Sequence, residues 1–216
     1  MTKLHALVLG ATGATGKEIV KLLLEDTNFS TVSLFVRRKI DIDHAKLTIH
    51  KIDFSKLDKY NGLIEGDILF SALGTTKKEA GGKKEQFLVD YTYQYEFAKI
   101  ALENGVSHYS LVSSFGANKN SIFFYPKIKG ALEYSIKRLK FNKIHIFQPP
   151  SLIRQPDLIR TVEKYSIKLF QVMNKLGFLK SFKPLLVQDL AMKIINESKL
   201  NQQEGITIYT SKDLFD

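Results

Sequence analysis

The stretch Leu9-Gly10-Ala11-Thr12-Gly13-Ala14-Thr15-Gly16-Lys17 constrains this chain more than any other. It follows Leu4–Leu9, a continuous apolar run suited to a strand buried on both faces. It precedes a helical pattern from Thr15, in which Ile19, Val20, Leu22, Leu23 and Leu24 recur until about Asn28. A strand turning through glycines into a helix brings free backbone N–H groups and the positive end of a helix dipole to one point. Gly10 permits the tight turn, Gly13 lets the backbone approach a pyrophosphate, and Gly16 lets the helix pack on the sheet. With Thr12, Ala14 and Thr15 these residues predict a dinucleotide-binding turn. The spacing is GxxGxxG, not GxGxxG, and Glu18 after Gly16-Lys17 excludes a P-loop.

Apolar runs continue to alternate with helical patterns downstream. Strands are expected at Thr31–Val36, Leu47–Ile52, Asp67–Leu73, Ser107–Val112 and Lys143–Phe147, the last ending at Pro149-Pro150. Helices are expected from about Gln86 to Asn104, with a stripe at Leu88, Tyr91, Tyr95, Ala98 and Leu102, and from Lys127 to Lys140. Beyond Pro150 the pattern predicts helices near Arg160–Leu176 and Val187–Ser198 and a strand at Ile206–Tyr209. Strands alternating with helices imply right-handed crossovers and parallel pairing. The expected fold is therefore α/β: one doubly wound parallel sheet over residues 1–216, with 151–216 forming a small C-terminal substrate lobe.

Composition narrows the chemistry. The chain has 216 residues, 44% of them hydrophobic and 25% charged, which excludes a disordered or fibrous chain. Cysteine is absent, so disulfides, thiolate metal sites and a cysteine nucleophile are excluded. The five histidines show no ligand spacing, and no metal site is expected. The net charge of +10 attracts polyanions. The basic residues are scattered, however, and no nucleic-acid reading motif accompanies them, so a phosphate-rich small ligand is preferred to DNA or RNA. The densest group, Lys77, Lys78, Lys83 and Lys84, reads as either a flap over a ligand or a solvated loop. The N-terminal apolar run is too short for a signal region, and no run approaches the roughly 20 residues of a membrane helix. A cytoplasmic protein without membrane partners is expected, as a monomer or homodimer.

Three further groups bear on function. Val36-Arg37-Arg38 ends the second strand without a carboxylate, and guanidinium groups there suit a ribose 2′-phosphate, favouring NADP(H) over NAD(H). Asp53-Phe54, after the third strand, can bracket an adenine ring. Tyr125-Pro126-Lys127-Ile128-Lys129 places Tyr125 and Lys129 on one helical face. A neighbouring ammonium moves a phenol from its ordinary pKa of about 10 toward the neutral range needed for acid–base work. Ser113-Ser114 close the fifth strand, at the sheet edge where open α/β folds bind ligands. Ser113 lies twelve residues and Ser114 eleven before Tyr125, and spacing does not choose between them.

The glycine turn, Ser113-Ser114 and Tyr125-x-x-x-Lys129 together resemble the short-chain dehydrogenase/reductases of the atypical or extended kind. Leu73-Gly74-Thr75-Thr76, Ala80-Gly81, Val89-Asp90-Tyr91, Ser113-Ser114-x-Gly116-Ala117-x-Lys119 and Lys129-Gly130 are similar to the Tat-interacting oxidoreductase branch, up to about Gln155. The resemblance implies a Rossmann fold binding NADPH, with Tyr125 as acid/base, Lys129 as ribose clamp and Ser114 as carbonyl orienter. Leu73, Gly74 and Thr75 would line the middle of the cofactor. The implied activity is hydride transfer involving a small carbonyl or alcohol substrate. An NADP(H)-binding regulatory module and a nucleotide-sugar epimerase or dehydratase are the alternatives, the short C-terminal part counting against the last.

Overall fold

The structure is a computed structural model that describes residues 3–153, 184–199 and 204–215. Alternation of side-chain direction along buried strands decides how it is layered. In β1 (Leu4–Leu9), Ala6 and Val8 join one apolar cluster and Leu7 and Leu9 the other, so the strand is walled on both faces. The first cluster takes Ile19 and Leu23 from α1 (Ala14–Glu25), and Leu190 and Ile194 from α6 (Val187–Lys199). The second takes Phe97 and Ala101 from α4 (Tyr93–Glu103), and Leu132 and Ile136 from α5 (Phe124–Ile136).

Between these layers lie β2 (Phe29–Val36), β3 (Leu47–Lys51), β4 (Ile68–Ser71), β5 (His108–Val112), β6 (Lys143–Phe147) and, after the two-residue strands β7 (Leu152–Ile153) and β8 (Leu185–Leu186), β9 (Gly205–Tyr209). Seven of them form a parallel sheet in the order β3-β2-β1-β4-β5-β6-β9, while β7 pairs with β8 alone. The chain runs outward from β1 to β3 and then returns to place β4 beside β1. That reversal opens a crevice at the carboxyl ends of β1 and β4, where doubly wound sheets bind ligands.

The expected α/β sheet is present, with two instructive differences. The long helix over 86–104 is instead α3 (Lys83–Phe87), a π-helical turn (Leu88–Thr92) and α4. The π turn holds an extra residue per turn and rotates the face that follows. The most buried side is Gln86, Val89, Asp90, Gln94, Phe97, Ile100 and Ala101, joined by Ala98 from the expected stripe. Tyr91 and Tyr95 stack in a half-buried ladder with Phe87, at centroid spacings of 4.9 and 5.8 Å. The second difference is α5, which begins at Phe124 and so takes Tyr125 and Pro126 into its first turn, where proline is tolerated. Lys77–Ala80 forms the short helix α2, with a Thr76–Glu79 capping box and Gly81 at φ 92°. The helix expected near Arg160–Leu176 lies outside the described residues, whereas α6 and β9 stand where the pattern put them.

Candidate functional site

Gly10 leaves β1 at φ 79°, and a Cβ there would lie 2.5 Å from the carbonyl of Ala72. Only glycine lets the β1 and β4 ends approach so closely. A Cβ on Gly16 would sit 2.0 Å from the Gly10 carbonyl oxygen, so this glycine serves helix packing. Gly13 is different. Its Cβ would meet nothing nearer than 3.3 Å, and it caps α1 without a side-chain hydrogen bond, above a first turn without acidic residues. A helix start of this kind, with glycine at the cap, is one that an anion can approach.

A cleft of about 470 Å³ opens over this turn, lined by Gly10, Thr12, Gly13, Arg37, Arg38 and Phe54 along with the 72–75 loop. A second cavity of about 150 Å³ shares Gly13 and the 72–75 loop with it. Ala14, Thr15, Ser113, Tyr125, Lys129 and Leu152 complete its wall. Leu73, Gly74 and Thr75 thus join the glycine turn to the Tyr125–Lys129 face. The loop is fixed from beneath: the Thr75 N–H donates to Asp90 Oδ1 at 3.0 Å, and Gln86 Nε2 donates to the Thr75 carbonyl at 3.3 Å. Deeper, the Ser71 hydroxyl donates to Gln94 Oε1 at 2.8 Å. Sequence reasoning gave Gln86, Asp90 and Gln94 no role. Their signal is the spacing of four that sets three polar residues on one helical face.

Lys129 is buried, and its Nζ donates to the Val112 carbonyl at 3.0 Å. Burial pushes its ammonium below the ordinary lysine value, while the charges of Asp90 and Glu133 pull the other way. Tyr125 remains 43% exposed, with its ring at the cavity wall. The two serines separate here. Ser113 lines the cavity and donates its hydroxyl to Glu133. The Ser114 hydroxyl is buried without a hydrogen-bond partner among the described residues and is not part of that wall.

Asp53 has a local structural role beside the cleft. Its carboxylate caps the 3₁₀ segment Phe54–Leu63, accepting from the Ser55 N–H at 3.0 Å and hydroxyl at 2.7 Å. Those bonds hold it below the usual carboxylate range. It lines a separate cavity beside the main cleft, and only Phe54 of the pair reaches both. Among the described residues no cluster suits a metal ion, and no helix is long and apolar enough to cross a membrane.

A family model described as NAD(P)H-binding matches residues 10–140. The chain is 35% identical to protein HTATIP2 of Rattus norvegicus over 175 residues, covering 79% of this chain and 72% of that protein. It is 29% identical to protein FMP52-1, mitochondrial, of Scheffersomyces stipitis, covering 98% and 97% respectively. Its fold superimposes with TM-score 0.69 on a short chain dehydrogenase family protein of Francisella tularensis, at 20% identity over 99% of this chain and 100% of that one. The Bordetella bronchiseptica enzyme WbmH in complex with NAD+ matches at TM-score 0.71 and 16% identity, over 98% and 76%. With its glycine turn, parallel sheet and Tyr125–Lys129 face, the chain belongs to the NAD(P)H-binding family, as an atypical short-chain dehydrogenase/reductase.

Proposed function

We propose that the chain is an NADP(H)-dependent oxidoreductase acting on a small carbonyl or alcohol. One observation carries the reading: Tyr125, Lys129 and Ser113 line a cavity that shares Gly13 and Gly74–Thr75 with the glycine-turn cleft. The glycine-capped start of α1 fits a diphosphate, and the cleft between Arg37 and Leu73 fits an adenosine. Bound there, a nicotinamide coenzyme supplies the hydride chemistry. The chain's own residues supply the rest. Tyr125, exposed at the mouth, gives or takes the proton at the substrate oxygen. Lys129, held from below by the Val112 carbonyl, keeps positive charge beside that phenol. Ser113, rather than the buried Ser114 hydroxyl, stands against the substrate. Arg37 and Arg38, exposed at the end of β2 with no carboxylate at that point, suit the extra phosphate of NADP(H). The substrate is a small molecule, the working unit a monomer or homodimer, and the compartment the cytoplasm, although the yeast relatives are named mitochondrial.

The test is turnover of NADPH with a panel of aldehydes, ketones and quinones, which Tyr125→Phe should lower by roughly 100-fold or more. In parallel, Arg37→Ala should weaken NADPH by more than about 1 kcal/mol and leave NADH nearly unchanged. Tight coenzyme binding with turnover equal to that of the Tyr125→Phe variant would favour the second reading, an NADP(H)-binding regulatory protein. One observation speaks for it: Ser113 and Lys129 already spend hydrogen bonds on Glu133 and Val112.

A further inference from the structure

Beside the main cleft lies a cavity of about 380 Å³ that shares Arg37 and Phe54 with it. Its other walls are Lys51, Ile52, Asp53, Tyr60 and Tyr93, with the Phe54 and Tyr93 rings packed at 5.6 Å. The register of β2 on β3 sets Val36 opposite Lys51, so Arg37, the next residue, leaves the sheet beside that lysine. Both side chains are exposed, and neither pairs with a carboxylate among the described residues. The acid in the wall, Asp53, is turned to Ser55 and stands 3.7 Å from Lys56. Two cations therefore face this space with its carboxylate already engaged. Arg38 and Lys39 line only the main cleft.

We infer that Lys51 is a specificity-determining residue that receives the ribose 2′-phosphate of NADP(H) together with Arg37, in place of an Arg37–Arg38 pair. This rests on the coenzyme reading above and adds a residue to it. A dianion between a planar guanidinium and a lysine point charge gains charge-assisted bonds from both. NADH, lacking that phosphate, gains neither. The competing account of Lys51 is a solvated lysine that protects the edge strand β3 from pairing with another chain.

Fluorescence titration of NADPH and NADH into the full chain separates the two, with 2′,5′-ADP and 5′-AMP as probes lacking the nicotinamide. Lys51→Met should weaken NADPH and 2′,5′-ADP about tenfold and move NADH and 5′-AMP less than about twofold. Lys51→Arg should restore most of the loss, and roughly 0.5 M salt should shrink it. Arg38→Ala should cost NADPH clearly less than Lys51→Met. Equal loss on NADPH and NADH, or no loss on NADPH while Arg37→Ala still weakens it, overturns the assignment of Lys51 alone. Binding of neither coenzyme by the unaltered chain, or an Arg37→Ala variant with an unchanged NADPH to NADH ratio, overturns the underlying coenzyme reading too.

Discussion

The Ser113 hydroxyl donates a hydrogen bond to Glu133 across two elements, from the end of β5 to α5. Gln148 Nε2 donates to both oxygens of the same carboxylate, at 2.9 and 3.0 Å. Three donor contacts converge on one buried acid. Toward the cavity, Ser113 is left with lone pairs.

Removing that acceptor exposes its worth. Glu133→Ala leaves a hydroxyl and an amide without their partner and should destabilise the fold by about 2–4 kcal/mol. Glu133→Gln, which keeps one acceptor oxygen, should cost less than half as much. Urea midpoints of the two variants check this, and equal losses would mean that the full carboxylate, with both acceptor oxygens and its charge, is what the position needs.

Gly130 should tolerate no side chain. A Cβ there would lie 2.3 Å from the backbone of Asn118 and Lys119, in the loop between β5 and α5. Alanine is the better helix former by up to about 1 kcal/mol, but it would push α5 away from that loop. Gly130→Ala is expected to lose about 3 kcal/mol or more. Gly62→Ala, at a glycine with nothing within 4 Å, should stay within about 0.5 kcal/mol of the unaltered chain. Thermal melts of the pair decide whether the contact or the glycine itself matters.

How much of this was legible from sequence follows from which interactions are local. The glycine turn was readable because Gly10 and Gly16 meet demands set within seven residues of chain, a φ of 79° and a helix seated on its own turn. The strands were readable because burial on both faces writes an unbroken apolar run. The stripe on the 86–104 helix is legible in part: Ala98 is buried and Tyr91, Tyr95 and Leu102 pack half-buried against the core, whereas the deepest side includes the polar Gln86, Asp90 and Gln94, which an apolar pattern does not register. Asp53 also has a purely local role, since a carboxylate two residues before a serine can cap a helix, and it makes that cap here. The Ser113–Glu133 bond was hidden for a third reason: it joins residues on separate elements, and no spacing rule encodes it.

Lys129 predicts a pH signature of stability. Its pKa in the fold lies below the ordinary lysine value, mainly through burial. Between the two values the unfolded chain binds more protons, so stability should rise as pH climbs through that window. Lys129→Met removes the term. The stability of the unaltered chain minus that of the variant should therefore increase as pH rises toward the ordinary lysine value of about 10, by at most about 1.4 kcal/mol per pH unit. Urea denaturation across that range is the measurement, and a flat difference would show that Asp90 and Glu133 fully offset the burial.

His108 works in the opposite pH range. It is buried edge-on against His145 at 4.6 Å, and His145 in turn meets Tyr209 at 5.5 Å, so the ring sits among aromatic neighbours at the base of β5 and β6. Burial first, then the charges of His145 and Lys143, push its pKa down to about 3. The unfolded chain takes up this proton near pH 6.5. The contribution of His108 is thus fully present above that value and lost as pH falls through it toward about 3. Between roughly pH 6.5 and 5, before most carboxylates titrate, the unaltered chain should lose up to about 1.4 kcal/mol per unit from this residue. His108→Leu keeps an apolar side chain in the space and cannot take up the proton, so its urea midpoint should fall less steeply over the same interval. Parallel slopes for the two proteins would mean that the buried ring is protonated without cost, and that the His108–His145 contact opens to water well before the sheet does.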